Sequence, residues 1–327
     1  MIGLFKQKNS TNILMLLVYG LLLKFNLFLH ATGPLRQPED HFLYNWLIDY
    51  TSALHIPRLI YSLVAFLLLY SQALLLNRAM NEFKLLPRYN YLPAMTYMLI
   101  TSLFPQWNQF SAPLIINSFL IWIFFRLVSL PNSQKPGTLI FNIGVVTGLV
   151  TLVYKPAIVL ALLVIFALFI MRPFRVQEWL INLLGITTPY YFLIVVLYLS
   201  NNLHWEKVLP VVSLRLPGMP SSIYITISIA FLVLPFFIGG LFVQNNLNKM
   251  FIQVRKSWSL LLLFLIISML VLVINGNSDN YVNWLLCAVP LATFHAATYF
   301  YATNKIFPQL LHWLTFGYAV YLNYFLV

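Results

Sequence analysis

Long apolar runs separated by short polar connections dominate this chain, as at residues 57–76, 179–200 and 222–242. A run of about 20 apolar residues is the length of helix that crosses the hydrocarbon layer of a membrane. Hydrophobic residues make up 61% of the chain and charged residues only 8%, whereas about 25% of a soluble domain is charged. The runs therefore predict a polytopic membrane protein.

The spacing of these runs predicts an all-α bundle of about eleven transmembrane helices in a single transmembrane domain that covers residues 1–327. We place the spans near residues 11–29, 57–76, 91–106, 111–128, 138–154, 156–171, 179–200, 222–242, 258–275, 283–301 and 308–326. Three of them, at 91–106, 138–154 and 156–171, are short. We expect these three to be less tilted, extended by flanking aromatic residues, or re-entrant.

The distribution of charge predicts the orientation of the bundle. With the N-terminus inside, most of the nineteen Lys and Arg residues fall at cytoplasmic ends, in agreement with the positive-inside rule. Most of the seven acidic residues then lie on the opposite face, which has two long connections, residues 30–56 and 201–221. The basic residues stand singly and form no stripe for a phosphate backbone, so the net charge of +12 does not indicate a nucleic-acid partner.

The first outer connection, residues 30–56, carries a concentrated polar cluster of Glu39, Asp40, His41 and Asp49. In one interpretation, Glu39 and Asp40 supply a general base near the membrane surface, or help to bind a divalent cation beside a phosphate. The alternative is a solvated loop whose acids cap the following helix. In so apolar a chain, such a cluster indicates either a catalytic or binding site or a solvent-exposed loop.

The same connection contains a pattern typical of a short amphipathic helix. Apolar and aromatic residues recur at helical spacing from Phe42 to Leu54, and Pro38 stands ahead of them, as is common near a helix start. We expect this helix to lie along the outer membrane surface, with Trp46 and Tyr50 at the depth of the head groups.

Two basic residues on the outer face are candidates for phosphate binding. Lys155 stands in the turn Tyr154-Lys155-Pro156, where the orientation of the bundle does not require a cation, and Arg58 begins the second span. Each could meet the phosphate of a lipid-linked substrate, or snorkel to ordinary lipid head groups. Lys24, deep in the first span, is expected to snorkel to the outer surface, and lining a polar cavity is the alternative.

The sequence contains none of the common nucleotide-binding or metal-binding motifs. There is no GxxxxGK[ST], no GxGxxG after a strand, no HExxH and no paired CxxC. The single cysteine, Cys287, lies in an apolar run and is expected to be a buried hydrophobic residue. Histidines cluster on the outer connections, but no pair has the i, i+4 spacing of helical metal ligands, so we predict no structural zinc site. Close helix packing is the role expected of the glycines within spans, which are Gly144, Gly148, Gly239 and Gly240.

The order of the outer connections resembles that of the large membrane-embedded glycosyltransferases of the GT-C type. A long connection follows the first span, tight turns follow the third and fifth spans, and a second long connection follows the seventh. Over residues 1–221 this order is similar to a GT-C-like module, and residues 222–327 add further spans. Members of that class carry an acidic residue in the first outer loop, where Glu39 and Asp40 stand here, although no Asp-x-Asp signature is present.

This resemblance implies a reaction and a role for each candidate residue. A polyprenyl-phosphate-linked sugar would enter on the periplasmic side, and an acidic residue would act as the base for the acceptor or bind a metal ion near the phosphate. Transfer with inversion needs only one such base. The implied catalytic residues are Asp40 and Glu39, and the implied substrate-binding residues are Lys155, Arg58, His41, Asp49 and Arg215.

Several local strings also resemble a family of uncharacterised polytopic inner-membrane proteins common in the Bacteroidota. They are Leu75-Leu76-Asn77-Arg78 with Tyr91-Leu92-Pro93, the segment from Ser102 to Pro105, and Arg172-Pro173-Phe174 with Glu178-Trp179-Leu180. This resemblance implies a multi-pass protein of the bacterial cytoplasmic membrane and no particular activity.

The sequence is compatible with two other functions. A non-catalytic membrane subunit, which would dock a partner protein through its outer connections and aromatic helix faces, fits the scarcity of polar groups within the spans. A lipid or solute transporter needs ionisable groups near mid-membrane, where only Lys24 lies, with Asn117 and Asn142 as polar companions. Membrane lipid is an expected partner in every case.

Overall fold

The computed structural model describes residues 1–203, 205–208, 222–274, 281–304 and 306–325. These ranges form α-helices joined by short connections, and no β-strand occurs within them. The α-helices are α1 (Ile2–Phe5), α2 (Thr11–Lys24), α3 (Asn26–Leu29), α4 (Phe42–Ala53), α5 (Arg58–Glu82), α6 (Leu92–Ile100), α7 (Ala112–Ser129), α8 (Pro136–Val153), α9 (Leu160–Met171), α10 (Val176–Leu199), α11 (Trp205–Val208), α12 (Ile223–Asn246), α13 (Ile252–Val273), α14 (Ala288–Tyr301) and α15 (Ile306–Phe325). Short 3₁₀ segments lie at Pro105–Asn108, Leu130–Asn132, Lys155–Val159, Leu247–Lys249 and Tyr281–Cys287.

Six helices within the described ranges are long and apolar enough to cross a membrane: α5, α7, α8, α10, α12 and α13. Helices α2 and α9 are apolar but shorter. The chain is therefore a helical, multi-pass membrane protein, as its apolar runs predicted. The total of about eleven spans stays a prediction, and so do the orientation and the GT-C-like order of the spans.

Two short helices, α6 and α14, form a buried centre of the bundle. Every residue of α6 is buried, and the hydroxyl group of Thr96 donates to the carbonyl oxygen of Ala292 in α14 at 2.9 Å. The nine residues of α6 extend only about 14 Å at 1.5 Å per residue, roughly half of the hydrocarbon thickness of a membrane. From Thr101 to Ser111 the backbone is irregular apart from the 3₁₀ segment Pro105–Asn108, so the α-helix in the predicted span at 91–106 ends at Ile100.

This irregular segment takes hydrogen-bond partners from distant parts of the chain. Nε1 of Trp107 donates to the carbonyl oxygen of Tyr281 at 2.7 Å, and the N–H of Leu35 donates to the carbonyl oxygen of Phe110 at 2.8 Å. Non-helical backbone at membrane depth is tolerated only where protein surrounds it or a cavity borders it. The segment therefore belongs to the interior of the protein.

Glycines let neighbouring helices touch along their backbones. A Cβ atom added to Gly144 or Gly148 of α8 would collide with backbone carbonyl groups of α10. Gly239 of α12 packs against the backbone of Phe294 in α14 in the same way, so the predicted packing role of these three glycines is confirmed. The same prediction for Gly240 was wrong, because no atom of a neighbouring element lies within 4 Å of its added Cβ.

The largest hydrophobic cluster runs from Ile2 to Ala319, so the residues before and after position 221 share one core. Cys287 belongs to this cluster, which confirms its predicted burial. Helices α10 and α12 stand at the edge of the bundle, with only 28% and 22% of their apolar windows buried. A spanning helix that is apolar all round and exposed faces lipid, so these two helices contact the membrane.

Lys24 lies at the end of α2 and is buried, with 1% of its surface exposed. Its ammonium group donates to Oδ1 of Asn108, and Nδ2 of Asn108 donates to Oδ1 of Asn323 at 3.0 Å. In turn, Nδ2 of Asn323 donates to the carbonyl oxygen of Ser102 at 2.7 Å. A small cavity of about 50 Å³ adjoins the two asparagines. The predicted snorkelling of Lys24 was wrong, because the irregular segment and α15 bring polar partners to it inside the protein.

Candidate functional site

The helix predicted in the first outer connection is present as α4, which begins at Phe42. Tyr44 and Ile48 are buried against the bundle, whereas Trp46 and Tyr50 are exposed and stack on each other with their ring centroids 5.9 Å apart. The hydroxyl group of Tyr44 also donates to backbone carbonyl oxygens, which ties the helix to the bundle. The start of α4 thereby fixes the position of the acids that precede it.

An antiparallel bridge between Asp40 and Tyr154 joins the first outer connection to the turn after α8. The N–H of His41 donates to the carbonyl oxygen of Val153 at 3.0 Å, and the N–H of Lys155 donates to the carbonyl oxygen of Glu39 at 3.0 Å. Two segments that are far apart in the sequence are thus held together by backbone hydrogen bonds.

A cavity of about 390 Å³ opens beside this bridge, and we call it the Asp40 cavity. Its lining residues are Asp40, His41, Phe42, Asn45, Trp46, Asp49 and Lys155. Small-molecule sites usually measure about 300–1,000 Å³, with mostly apolar walls and a few polar groups that orient the ligand. The predicted candidates Asp40, His41, Asp49 and Lys155 therefore meet around a space of suitable size for a ligand.

Asp40 is buried in a closed turn. Its Oδ2 accepts the N–H of Gln37 at 2.7 Å, and its own N–H donates to the carbonyl oxygen of Gln37 at 3.1 Å. Burial raises the pKa of the Asp40 carboxyl from 3.8 to about 7, and the negative charge of Glu39 adds to this rise. The hydrogen bond from the Gln37 N–H and the positive charges of Lys155 and Arg36 lower the pKa and so oppose the rise. The carboxyl group therefore changes protonation near neutral pH, which suits a general base.

Four buried oxygen atoms near this turn have no hydrogen-bond partner among the residues that the structure describes: Oε1 of Gln37, Oε2 of Glu39, Oδ1 of Asp40 and the hydroxyl oxygen of Tyr154. Burial raises the pKa of Tyr154, and the charges of Glu39 and Asp40 raise it further. A buried polar atom without a partner costs about 1–3 kcal/mol, and folded proteins contain few of them. Of these residues only Asp40 lines the cavity, and a buried carboxyl oxygen without a partner beside a ligand-sized space is typical of a binding or catalytic site.

The alternative in which the two acids cap α4 is wrong. His41 occupies the N-terminal cap position, and no side-chain hydrogen bond caps the helix within the described residues. The Asp40 carboxylate accepts instead from Gln37, which precedes it in the chain. Glu39 is buried and does not line the Asp40 cavity, so it affects this site through the negative charge that it places near Asp40.

Lys155 borders the cavity from the turn after α8. Its Nζ donates to the carbonyl oxygen of Pro38 at 2.9 Å, and its side chain is partly exposed. An ammonium group has three N–H donors, so this contact leaves two for a ligand. The lysine thus brings a positive charge with available donors to the cavity that Asp40 lines.

Asp49 lines the cavity as the ion-pair partner of Arg36, with Oδ1 and Nη2 2.7 Å apart. Both side chains are largely exposed, so the pair contributes little to stability. Arg36 was not among the predicted residues, because no motif surrounds it. The signal that could have found it is the presence of opposite charges within the same connection.

The structure does not bring Arg58 into the Asp40 cavity. Arg58 begins α5 and is exposed. It follows the C-terminal end of α4, whereas Asp40 precedes the N-terminal end, and a helix of this length extends about 18 Å. Arg215 and His204, in the second outer connection, lie outside the described residues.

The described part of the chain contains no cluster of metal ligands. No group of three or more His, Cys, Asp or Glu side chains there could hold a metal ion. In the Asp40 cavity, Asp49 is already paired with Arg36, and Lys155 adds a positive charge. The divalent cation that the acidic pair suggested stays a prediction, for which the described residues provide no ligand cluster.

Similarity to known proteins was tested by comparison with protein-family models, curated proteins and solved structures. In none of the three comparisons does this chain have a match.

Proposed function

We propose that this chain is a GT-C-like glycosyltransferase of the bacterial inner membrane that uses a polyprenyl-phosphate-linked sugar on the periplasmic side. The observation that carries the proposal is that Asp40, with a pKa of about 7, and Lys155 line the same cavity. Such a reaction needs a base for the acceptor hydroxyl and a positive charge for the phosphate that leaves. The cavity offers both at the start of a helix with exposed aromatic residues.

The proposed transfer is a single displacement. Asp40 accepts the proton of the acceptor hydroxyl through Oδ1, which has no partner among the described residues. The acceptor oxygen bonds to the anomeric carbon while the bond from that carbon to the donor phosphate oxygen breaks. Polyprenyl phosphate leaves as an anion beside Lys155, and the proton on Asp40 then passes to water. One carboxylate suffices for this inverting transfer, whereas glycoside hydrolysis uses a pair.

The apolar part of the cavity suits a lipid-linked donor. Phe42 and Trp46 line it, and Trp46 is 58% exposed and stacked on Tyr50. Aromatic side chains of this kind lie at the depth of lipid head groups. The isoprenoid chain can therefore stay in the membrane near α4 while the phosphate meets Lys155.

Binding of polyprenyl phosphate tests the proposal directly. Native mass spectrometry of the full chain in mild detergent is expected to show retention of added polyprenyl phosphate by the wild type and by Asp40→Asn. Lys155→Gln is expected to lose it, whereas the exposed Lys135, changed to Gln, is the matched control and keeps it. Equal retention by Lys155→Gln and the wild type would contradict the phosphate contact.

A genetic experiment separates the enzyme from the membrane subunit. In a strain that lacks the protein and has a growth phenotype, the double variant Glu39→Gln with Asp40→Asn is expected to fail to complement. Full complementation by a stably inserted double variant would exclude Asp40 as the catalytic base. A stoichiometric protein that co-purifies with it would then favour the subunit.

A further inference from the structure

A second cavity lies between α5 and α7, far from the Asp40 cavity. It measures about 390 Å³, and we call it the Arg126 cavity. Its lining residues are Leu75, Arg78, Glu82, Ile121, Trp122, Phe125 and Arg126. Because Arg78 and Glu82 lie in the last turns of α5, this cavity is at the opposite end of that helix from Arg58.

The guanidinium group of Arg126 is positioned but incompletely hydrogen-bonded. Its Cζ lies 5.2 Å from the centre of the Trp122 ring, a cation–π contact that holds the group over the aromatic face. Its Nε is buried and has no acceptor, and no carboxylate pairs with it, within the described residues. An acceptor from a bound ligand would satisfy this donor.

Arg78 adds a second guanidinium to the same cavity. Its Nε lies 3.4 Å from Oε2 of Glu82, and the two side chains are 73% and 46% exposed. An exposed pair of this kind is weak, so Arg78 keeps donors for another anion. Two arginines against one glutamate leave a net positive charge at the cavity.

The remaining lining residues of the cavity are apolar, and the cavity is partly open at the surface of the two helices. Leu75 is 45% exposed, Trp122 and Phe125 are partly buried, and Ile121 forms the inner wall. A positive rim above an apolar wall matches a ligand with an anionic head and a hydrocarbon tail. Basic pockets between membrane helices bind acidic lipid head groups in this manner.

We propose that the Arg126 cavity binds an anionic phospholipid. The phosphodiester accepts hydrogen bonds from Arg126 and Arg78, and an acyl chain lies along Leu75, Ile121 and Phe125. The guanidinium fork suits phosphate oxygens, and the Trp122 contact holds the fork in position before the lipid arrives. The site is independent of the proposed sugar transfer, because it uses none of the residues of the Asp40 cavity.

Lipid retention by the full chain tests this site. In native mass spectrometry, the wild type is expected to retain phosphatidylglycerol in preference to phosphatidylethanolamine, and Arg126→Gln to retain it about tenfold less. Arg255→Gln changes an exposed arginine on α13, two residues after Gln253, which donates to the carbonyl oxygen of Val128 in α7. This variant is expected to behave as the wild type. Equal retention by Arg126→Gln and the wild type overturns the proposal. Displacement of the lipid by inorganic phosphate at equal concentration shows a site for a free anion and overturns the lipid assignment.

A second measurement does not depend on the folding of Arg126→Gln. Phosphatidylglycerol with brominated acyl chains is expected to quench tryptophan fluorescence of the wild type more than brominated phosphatidylethanolamine does. Trp122→Phe removes the tryptophan of the cavity and is expected to abolish that difference. A difference that persists in Trp122→Phe, or none in the wild type, overturns the site.

Discussion

Two regions of the protein bury ionisable groups but differ in their hydrogen bonding. One is the turn at Asp40, and the other is the set of hydrogen-bonded side chains Lys24, Asn108 and Asn323. Lys24 donates to Asn108, and the bonds continue through Asn323 to the backbone of Ser102, beside a cavity of only about 50 Å³. Asp40 leaves Oδ1 without a partner among the described residues, beside a cavity of about 390 Å³. The difference teaches that a buried ionisable group hydrogen-bonded to side chains of other elements connects those elements, whereas one with an unpartnered oxygen beside a ligand-sized space is available for chemistry.

The substitution Asp40→Asn is expected to have the largest effect. An amide cannot accept the acceptor proton, so sugar transfer is expected to fall by about 10²–10⁴-fold. The amide oxygen still accepts the N–H of Gln37, so the turn is kept. Release of polyprenyl phosphate in vesicles measures the rate. Asp49→Asn, at an exposed and paired acid of the same cavity, is expected to lose less than about tenfold. Equal rates for Asp40→Asn and the wild type would remove Asp40 from the mechanism.

The pH dependence of stability gives the next effect. Because the pKa of Asp40 is raised from 3.8 to about 7, the folded protein binds this proton more tightly than the unfolded chain does. The free energy of unfolding therefore falls as the pH rises between these two values, by at most roughly 4 kcal/mol. Thermal unfolding in detergent across this range measures the slope, which Asp40→Asn is expected to reduce. An unchanged slope in that variant would show that other groups cause it.

Changing Lys24 to Met tests the paired side of the comparison. The variant leaves Oδ1 of Asn108 buried without its donor, and we expect it to lower the free energy of unfolding by about 1–3 kcal/mol. Transfer activity per folded molecule is expected to stay unchanged. Lys135→Met, at an exposed lysine, is the control for thermal unfolding. A Lys24→Met protein that is stable but inactive would break the comparison and favour the transport alternative.

Two tyrosine substitutions give the smallest effects and sharpen the same contrast. The hydroxyl group of Tyr154 is buried and has no partner among the described residues, so we expect Tyr154→Phe to cost no stability and to raise the free energy of unfolding by about 1 kcal/mol. The hydroxyl group of Tyr97 donates to Oε1 of Gln72 at 2.7 Å, and Tyr97→Phe is expected to cost about 1 kcal/mol or more. Chemical or thermal unfolding compares the two variants. The reverse order would mean that Tyr154 has a stabilising partner.

Local features of the sequence predicted much of the fold. Apolar runs predict spans because a membrane helix needs only its own residues to satisfy its backbone, and α5, α10 and α12 follow the predicted runs closely. The helical spacing of apolar and aromatic residues after Pro38 predicted α4, because this pattern lies within the segment itself. The predicted span at 91–106 differs, because its helix ends at Ile100 and the residues beyond depend on partners far away in the chain.

The candidate site could be predicted only in part. Concentrated charge pointed to Asp40, and an isolated cation in an outer turn pointed to Lys155, but neither pattern indicates that the two line one cavity. That arrangement depends on the bridge between Asp40 and Tyr154, which has no local signal. The snorkelling expected of Lys24 failed for the same reason, since Asn108 and Asn323 reach it only through the tertiary fold.

The buried irregular segment from Thr101 to Ser111 has a consequence for biosynthesis. The ribosome delivers this segment long before Tyr281, whose carbonyl oxygen accepts from Trp107. Asn117, just downstream, likewise donates to the carbonyl oxygen of Leu285 at 2.9 Å. Until those late residues are synthesised, the two side chains lack these backbone acceptors. The centre of the bundle is therefore completed only near the end of translation, and nascent chains that stop before Tyr281 remain unfinished at their core.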